Sequence, residues 1–406
     1  MSKKILFISS ANLTVNPRLL KELKLALSLS NKVDFIGFRL GNWSDVIDKK
    51  IIKDINANFH YIPITRKPFV SWFISSIIEK FTQKLYYFFK ANLKINTYAY
   101  SKRSFLLCKY LRKNKKQYDL IIAHTLPTLY PAYKFAKQTN TNFIFDIEDY
   151  HPGEIVTVDA KNEKTRRIFL MKKLLPKASY LTYASPLIGK FSLNLLNNYP
   201  VNQHQLINNC FSKSEFQFKE NTSKKIKFVW FSQNIAAGRG LELVIPALDK
   251  YKDKIELTLI GNLYAGFHKD FLSGYDDFIN FVEPLSQKEL NLKLSEFDIG
   301  LAIEISNVDI NKDIALSNKI WAYFQSGLYV LATDTQAQKQ FVGEHEDIGV
   351  VSGQAIERFT ESIENIIKNI DNIRNKKQDR FIYAQKIAWE VESKKLTDIW
   401  SRLLTT

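Results

Sequence analysis

The stretch WFSQNIAAGRGLELVIPAL, Trp230–Leu248, decides the fold. It starts as an apolar run of strand length, continues as a loop of small residues that contains Gly238 and Gly240, and ends with the apolar spacing of a helix that begins near Leu241. A strand that leads through a short glycine loop into a helix is the repeating unit of sheets with parallel strands. The stretch therefore predicts an α/β fold.

The same unit recurs on both sides of this stretch. Apolar runs of strand length alternate with helical patterns from KILFIS, residues 4–9, to YLTYAS, residues 180–185, and again from IKFVWFS, residues 226–232, to IGVVSG, residues 348–353. The polar, aperiodic residues 212–225 lie between the two series. We therefore predict two doubly wound, Rossmann-like domains that face each other across a cleft, with ligands bound beyond the carboxyl ends of the strands.

Length and composition fit a globular protein of two domains. The chain has 406 residues, of which 45% are hydrophobic and 24% charged. Its two cysteines, Cys108 and Cys210, form neither a disulfide framework nor a metal-ligand pattern, so we expect a reducing compartment. The amino-terminal apolar run is too short for a signal peptide, and no run reaches the roughly 18 to 20 apolar residues that span a bilayer. These features predict a cytoplasmic protein.

The positive charge is concentrated in one half of the chain. Residues 1–215 contain 34 Lys and Arg against 14 Asp and Glu, whereas residues 216–406 contain 24 against 27. A compositional bias of the genome would raise both halves alike. The basic half therefore favours an anionic partner, such as a nucleic acid, an acidic membrane or a phosphate-bearing substrate. No nucleic-acid-binding motif is present, so we expect no nucleic-acid partner.

Residues 69–113 interrupt the alternation of strands and helices. Apolar residues, among them Phe69, Phe73, Ile77 and Phe81, recur at helical spacing, with basic residues between them. The pattern predicts a basic amphipathic helix over about 69–113. Such a helix can lie in a membrane interface, or it can pack on its own sheet as a crossover helix, and the sequence fits both. The charge of this half favours peripheral attachment to the inner face of the cell membrane.

A second motif, SNKIWAYFQSG, residues 317–327, predicts an anion site. Ser317 is a good N-cap, so Asn318 and Lys319 fall in the first turn of a helix, where free backbone N–H groups point outwards. A cation there opposes the helix dipole unless an anion is also present. A lysine at a helix N-terminus in an α/β domain therefore indicates a phosphate site, although a solvated lysine is the simpler alternative.

Two other loops can converge on the same anion. In the loop of Trp230–Leu248, glycines let the backbone approach a phosphate, and Arg239 can bind it through two N–H groups. LTLIGN, residues 257–262, ends in Gly261 and Asn262. No GxxxxGK[ST] or GxGxxG motif occurs, so neither ordinary NTPase chemistry nor dinucleotide binding is indicated.

These motifs resemble the donor-binding domain of GT-B glycosyltransferases, and the chain is most similar to glycosyltransferase family 4 of the bacterial surface-polysaccharide type. On the acceptor side, the resembling segments are NPRLLKEL (16–23), DLIIAHTLPTLYPAY (119–133) and FDIEDYHPGE (145–154). The resemblance implies an acceptor-binding domain at 1–211, a linker at 212–225, a donor-binding domain at 226–385 and a C-terminal helix at 386–406 that crosses back to the first domain.

The resemblance also implies roles for individual residues. The catalytic residues would be His124, Arg239 and Lys319. The donor-binding residues would be Ser232, Gln233, Gly238, Gly240, Gly261, Asn262, Asp313, Ser317, Asn318, Asp334, Thr335 and Gln338. The acceptor-side residues would be Asn12, Asn16, Arg18, Glu148, Asp149 and His151.

Two of these assignments have structural alternatives. The titratable residues of 146–151 can supply a base or bind the acceptor hydroxyl, or they can form a capping and salt-bridge network. His124, at the end of a strand, is either catalytic or structural. The sequence DIED, residues 146–149, lies in the acceptor half and not beside the diphosphate, so we expect no metal there.

One residue departs from the family pattern. Family members carry a glutamate three residues after the lysine, which binds the nucleotide ribose, and this chain has Ala322 there. The companion glutamate falls on Ile314. We therefore expect the ribose to be recognised in a different way, or by Asp313 or Glu304, and the identity of the base stays open.

The sequence thus predicts an enzyme that moves a sugar from a nucleoside-diphosphate sugar to a hydroxyl of a lipid-linked or oligosaccharide acceptor in bacterial cell-surface polysaccharide synthesis. The resemblance implies retention of anomeric configuration. It also implies no cofactor and no metal, since Arg239, Lys319 and a helix N-terminus would neutralise the diphosphate. The alternatives are a non-hydrolysing sugar-nucleotide epimerase, which shares the fold, and a non-catalytic GT-B paralogue, which Ala322 makes conceivable.

Overall fold

The structure is a computed structural model that describes residues 2–196, 199–305 and 309–405. The chain divides into two compact units. The first unit consists of Met1–Ile207 and Ser393–Thr406, and the second consists of Asn208–Glu392. Each unit is built around a parallel sheet of its own.

The first unit has one seven-stranded sheet among its described residues. The strands are β1 (Lys4–Ser9), β2 (Lys32–Arg39), β3 (Asn58–Pro63), β4 (Leu120–His124), β5 (Asn142–Ile147), β6 (Tyr180–Tyr183) and β7 (His204–Leu206). The helices between them are α1 (Pro17–Ser28), α2 (Trp43–Ile51), α3 (Phe69–Tyr86), α4 (Leu93–Tyr100), α5 (Lys102–Lys113), α6 (Leu126–Thr139), α7 (Ala160–Leu174) and α8 (Pro186–Leu193). The strand order is β3-β2-β1-β4-β5-β6-β7, and every neighbouring pair is parallel.

The register of this sheet places four polar residues in one row. Ser9 at the end of β1 lies opposite His124, His124 lies opposite Asp146, and Asp146 lies opposite Thr182. In each of these strands, the residues that precede the row are buried on both faces, as is typical of parallel sheets covered by helices. The row therefore marks the point where the apolar core ends at the carboxyl edge of the sheet.

The second unit repeats the architecture with six strands among its described residues. The strands are β8 (Ile226–Ile235), β9 (Ile255–Leu263), β10 (Ile279–Val282), β11 (Ile299–Ala302), β12 (Tyr329–Thr333) and β13 (Gly349–Ser352), in the order β10-β9-β8-β11-β12-β13. The helices are α9 (Leu241–Asp249), α10 (Ala265–Asp270), α11 (Gln287–Leu294), α12 (Ile310–Ile314), α13 (Asn318–Gln325), α14 (Gln336–Glu344), α15 (Ile356–Lys368), α16 (Ile370–Asn375) and α17 (Lys377–Ala384). All neighbouring strands are parallel. The predicted α/β class with two doubly wound parallel sheets is confirmed.

The strands differ from the predicted runs in two places. The short edge strand β7 lies just before the start of the second unit. In the second unit β8 and β9 continue past the predicted runs, and Asn234 pairs with Asn262 beyond a register shift that follows Phe231. The polar residues after each apolar run were predicted to be loop, but they belong to the strands. A bulge lets the two strands stay paired after their apolar parts end.

The prediction of one helix over about 69–113 is wrong. The segment forms three helices, α3, α4 and α5. The Asn92 side chain accepts from the Ile95 N–H and starts α4, and the Ser101 hydroxyl accepts from the Arg103 N–H and starts α5. Each capping side chain satisfies backbone donors that a continuous helix would not expose, so the chain turns at these two positions. Among the described residues, no helix combines the length and the apolarity needed to cross a membrane.

The last helix, α18 (Trp389–Thr405), contributes its residues from Ser393 onwards to the first unit. Trp400 is 2% exposed, and its ring meets the Phe7 ring of β1 edge-on, with the centroids 6.4 Å apart. The Asn142 amide and the Lys3 ammonium donate to the carbonyls of Leu403 and Leu404. The C-terminal residues are therefore part of the first unit's core.

We expect Trp400→Ala to lower the free energy of unfolding of the first unit by about 3 to 5 kcal/mol, because it empties a buried aromatic site. Urea denaturation followed by far-UV circular dichroism measures this loss. Trp43→Ala is the control: Trp43 is 52% exposed, so its removal is expected to change stability by about 0.5 kcal/mol or less. Equal stability of both variants would show that α18 is not needed by this core.

Candidate active site

A buried ion pair lies at the row of polar residues in the first unit. Arg18 donates from Nε to Asp146 Oδ2 at 2.6 Å and from Nη2 to Asp146 Oδ1 at 2.8 Å. Its Nη1 donates to the Ile207 carbonyl at 2.7 Å. Both side chains are almost inaccessible to solvent. Burial acts to raise the pKa of Asp146, but the Arg18 guanidinium outweighs it and lowers the pKa to about 2, so the carboxylate is ionised.

Helix α1 brings Arg18 to this place because its start is fixed. The Asn16 side chain accepts from the Leu19 N–H, and Pro17 occupies the first helical position. Glu22 lies one turn after Arg18 on the same face. The Asn16 amide also donates to Glu148 Oε1 at 2.8 Å. One helix start thus supplies three polar side chains to the carboxyl edge of the sheet.

His124 sits at the centre of the cluster and is fully buried. Its Nδ1 lies 2.6 Å from Glu148 Oε1 and 3.4 Å from Asp146 Oδ2, and its Nε2 lies 3.4 Å from Glu22 Oε2. Burial acts to lower the pKa of His124, but the carboxylates of Glu22, Glu148 and Asp146 outweigh it and raise the pKa to about 10. The imidazole is therefore protonated at neutral pH and faces carboxylates from both of its nitrogens.

The structure brings four predicted acceptor-side or catalytic residues together, namely Asn16, Arg18, His124 and Glu148. It gives Asn12 and His151 structural partners. The Asn12 amide is buried and donates to Ser44 Oγ and Asp45 Oδ1. His151 accepts the Leu126 N–H at Nε2 and faces Glu154 at Nδ1, as a capping network requires. Asp149 lies half-buried in the loop after β5.

Three residues in this cluster or next to it were missed by the sequence reasoning. Glu22 could have been found from its i,i+4 spacing to Arg18. Thr182, which donates to Asp146 Oδ1, carries no local signal. Thr125 follows His124 with φ +72°, a conformation that non-glycine residues rarely adopt, and such strain occurs often at functional sites.

The cluster resembles a metal site in geometry but not in charge. One donor atom from each of Glu22, His124 and Asp146 lies within 4.8 Å of the other two. The Arg18 guanidinium already takes both oxygens of Asp146, and the His124 imidazole lies against carboxylates at both of its nitrogens. The residues therefore fit a closed ion network better than a cation site.

In the second unit, Lys319 lies in the first turn of α13 as predicted from its motif. Its ammonium donates to Glu304 Oε1 at 2.9 Å and lies 5.7 Å from the centre of the Trp230 ring. The anion beside this lysine is thus the chain's own carboxylate, at the end of β11. The ion pair is mostly buried, with 14% of the lysine side chain and 20% of the glutamate side chain exposed.

The glycine loop packs on the residues that flank Glu304. Gly238 and Gly240 have φ +75° and +82°, and a Cβ on Gly240 would meet the Ile303 side chain at 2.3 Å. Only glycine combines this backbone conformation with this close approach. Arg239 lies between the two glycines and is exposed. Within the described residues it forms no ion pair, so its guanidinium is available to a ligand.

Gly261 allows the extensions of β8 and β9 to approach each other closely. Its φ is +151°, and a Cβ there would lie 2.2 Å from the Ser232 carbonyl oxygen. Asn262 is exposed and donates to the Gln233 carbonyl at 2.8 Å. Ser232, Gln233, Gly261 and Asn262 therefore occupy one edge of the second sheet.

The remaining donor-side predictions fall in α12 and at the starts of α13 and α14. Both oxygens of Asp313 accept from Gln336, and Glu304 accepts from Lys319, so each carboxylate proposed for ribose has a partner within the chain. Asp334 accepts from Gln354, and Asn318 accepts from Asn209. The structure places the other three as follows: Thr335 caps α14, Ser317 precedes α13 without a side-chain capping bond, and Gln338 is fully buried.

Two of these residues carry buried polar atoms with no hydrogen-bond partner among the described residues. They are the Ser317 hydroxyl and the Gln338 amide nitrogen. Leaving such a group unsatisfied costs about 1 to 3 kcal/mol. Ala322 differs: it is fully buried in an apolar cluster of α13 and β12, so a longer acidic side chain at this position would enter the core.

Comparison with solved structures identifies the fold. HepE of Anabaena, solved in complex with UDP, has a TM-score of 0.65 at 13% identity, over 98% of this chain and 100% of its own. Sucrose-phosphate synthase from Thermosynechococcus elongatus has 0.65 at 14% identity, over 99% and 100%. A UDP-N-acetylglucosamine 2-epimerase has 0.54 at 12% identity, over 93% and 91%.

The chain has the fold of the GT-B glycosyltransferases. The comparison with protein-family models finds no match, and the comparison with curated proteins finds none either. Membership of glycosyltransferase family 4 therefore stays a prediction of the motifs. At 12 to 14% identity the similarity shows the architecture alone. The activity has to be inferred from the residues described above.

The His124 cluster predicts an unusual dependence of stability on pH. The pKa of His124 is raised from 6.5 to about 10 in the folded state, so its contribution is complete below pH 6.5 and is lost as the pH rises towards 10. We expect the free energy of unfolding of the first unit to fall over this range. Urea denaturation at pH 6, 8 and 10 measures the fall.

His124→Gln is the matched variant. It keeps a polar side chain but cannot carry the charge, so we expect it to be less stable at pH 6 by about 3 to 5 kcal/mol. We also expect the fall towards pH 10 to be much smaller. The same pH dependence in both proteins would mean that His124 is not the charged centre of the cluster.

Proposed function

We propose that the protein is a glycosyltransferase that moves a sugar from a nucleoside-diphosphate sugar to a hydroxyl group. The observation that carries the proposal is Lys319, held by Glu304 in the first turn of α13 next to the glycine loop of Arg239. The fold supports it, since HepE with the same architecture has been solved with UDP-glucose. The unpartnered Ser317 and Gln338 atoms lie among the residues assigned to the donor.

The chemistry requires stabilisation of the leaving group. Breaking the bond between the sugar and the diphosphate builds negative charge on the phosphate oxygens. Lys319, Arg239 and the N-terminal N–H groups of α13 would meet that charge, so the proposed reaction needs no metal. A bound diphosphate would compete with Glu304 for the Lys319 ammonium. The Glu304 carboxylate could then accept a hydrogen bond from the ribose, the role that Ala322 does not fill.

The acceptor side is assigned to the cluster around His124. Its buried charges are fixed by contacts from α1 and three strands, which suits precise positioning of an acceptor hydroxyl. Glu148 is the most accessible carboxylate of the group, with 18% of its side chain exposed. We assign it, with Asn16, to the acceptor hydroxyl. Because no nucleophile is evident near the donor residues, retention of configuration rests on the resemblance.

We further propose a lipid-linked acceptor at the cytoplasmic face of a bacterial membrane, as in surface-polysaccharide synthesis. Helix α3 supports this part, because its apolar residues face solvent. Phe69, Phe73, Ile77 and Phe81 are 47 to 59% exposed, while the buried positions of the helix are Ser75, Thr82 and Tyr86. A crossover helix that packed on its own sheet would have the reverse pattern. An apolar face flanked by lysines suits an anionic bilayer interface.

Substitution of the two cations tests the donor site. We expect Arg239→Ala and Lys319→Ala each to lower the transfer rate by a factor of about 100 or more, since each removes a charge that stabilises the leaving group. Release of nucleoside diphosphate from a panel of nucleotide sugars, with a bacterial lipid extract as acceptor, measures the rate. Arg239→Ala is expected to keep the wild-type melting temperature, because Arg239 is exposed.

Lys288→Ala is the control, since Lys288 is exposed on α11, which carries none of the predicted site residues. Wild-type rates in both cation variants would contradict the assignment. Conversion of a nucleotide sugar to its epimer without an acceptor would favour the epimerase, and nucleotide binding without turnover would favour a non-catalytic protein. Binding itself appears as a rise in melting temperature with nucleoside diphosphates.

Vesicle sedimentation tests the membrane surface. We expect wild-type protein to bind vesicles that contain phosphatidylglycerol, and Phe73→Ser/Phe81→Ser to bind at least ten times more weakly, because each buried Phe contributes about 1.5 to 3 kcal/mol. Val46→Ser/Ile47→Ser removes exposed apolar side chains from α2 and is expected to bind like the wild type. Negligible binding by all three proteins would exclude this surface.

A further inference from the structure

A basic cavity of about 250 Å³ lies between α4, α5 and α6 in the first unit. Four cations line it: Lys94 from α4, Lys109 and Arg112 from α5, and Lys134 from α6. Tyr98 and Cys108 also line it, and no carboxylate does. The cavity is distinct from the His124 cluster and from the donor residues, and neither uses any of its side chains.

The four cations have no anionic partner in the part of the chain that the structure describes. Elsewhere in the first unit cations pair readily, as Arg166 does with Glu163 and Lys116 with Asp34. The Lys94 ammonium lies 5.9 Å from the centre of the Tyr98 ring. Like charges repel when they converge on one concavity, and a concave surface of one sign concentrates counter-ions. The arrangement therefore calls for an anion.

Tyr98 and Cys108 lie among the cations that line the cavity. Tyr98 is 7% exposed, and Cys108 is half-buried. Burial raises the pKa of the Cys108 thiol, while a hydrogen bond with Tyr98 and the charges of Lys134 and Lys94 act against it. Cys108 is therefore a neutral thiol at pH 7 that lies close to two of the cations, and it can report on what enters.

The sequence around the cavity is one-sidedly basic. Residues 55–118 contain 13 Lys and Arg and a single acidic residue, Glu79. The backbone of Lys102 donates to the Glu79 carboxylate, so this one carboxylate is used at the junction of α3 and α5. No acidic residue in this segment can neutralise the cavity.

We propose that this cavity binds a phosphate group, which is either a free phosphate or the phosphate of a lipid headgroup. Arg112 and the three lysines would donate to its oxygens, the guanidinium through two parallel N–H groups. The proposal does not depend on transfer chemistry, and its test uses no nucleotide sugar. A failure here would leave the assignments of Lys319 and Arg239 untouched.

The first experiment measures protection of Cys108. Cys210 is fully buried, so a maleimide reagent is expected to label Cys108 alone. We expect inorganic phosphate, at constant ionic strength kept with chloride, to slow labelling of the wild type at least threefold. Lys109→Gln/Arg112→Gln is expected to lose this protection. Lys172→Gln/Lys173→Gln removes the same charge from exposed positions of α7 and is expected to keep it.

The second experiment separates the two sources of phosphate. The same three proteins are labelled with vesicles of phosphatidylcholine alone or with phosphatidylglycerol. Protection by inorganic phosphate that the Lys109/Arg112 variant loses supports a site for free phosphate. Protection by phosphatidylglycerol vesicles without protection by inorganic phosphate supports a headgroup site. Absence of protection in both, or equal protection of the Lys109/Arg112 and Lys172/Lys173 variants, would overturn the proposal.

Discussion

The ion pair between Arg18 and Asp146 is the interaction on which the first unit's site depends. Buried charges are costly unless they are paired, and removal of one partner leaves the other uncompensated. Arg18 meets both oxygens of Asp146 and the Ile207 carbonyl, so a single guanidinium joins α1, β5 and the end of β7. His124 is then placed among carboxylates whose number exceeds the charge of Arg18, and it becomes the second cation of the network.

The second unit also contains an ion pair at the edge of its sheet, but this pair is less deeply buried. Lys319 is compensated by one carboxylate, Glu304, and keeps part of its surface exposed. The glycine loop is pressed against the neighbours of Glu304, because Gly240 has no Cβ to hold it away from Ile303. An anion that enters at this place would find a cation that is already oriented, and it would compete with Glu304 for the ammonium. This is the physical basis for assigning the diphosphate to this unit.

The basic half of the chain uses its charge in two different ways. In the His124 cluster and on α7, cations pair with carboxylates and hold the fold. Around α4, α5 and α6 they converge without carboxylates, and α3 presents an apolar face beside exposed lysines. Cations that are paired with carboxylates need no ligand. Among the described residues, the cations around α4, α5 and α6 stay unpaired, and the apolar face of α3 stays uncovered. Lipid phosphates could pair with these cations, and a bilayer interface could cover this apolar face.

The sequence by itself determined most of the strands, their parallel arrangement and the helix start at Asn16, because apolar period and capping chemistry act over a few neighbouring residues. It also placed the start of α13 after Ser317, although the Ser317 side chain makes no capping bond there. It also placed His124 and Lys319 at strand and helix ends. Only the tertiary structure decided their partners: Arg18 lies 128 residues from Asp146, and Lys319 lies 15 residues from Glu304. It also decided that the apolar face of α3 points outwards. Such outcomes depend on packing between distant segments, which no local pattern encodes.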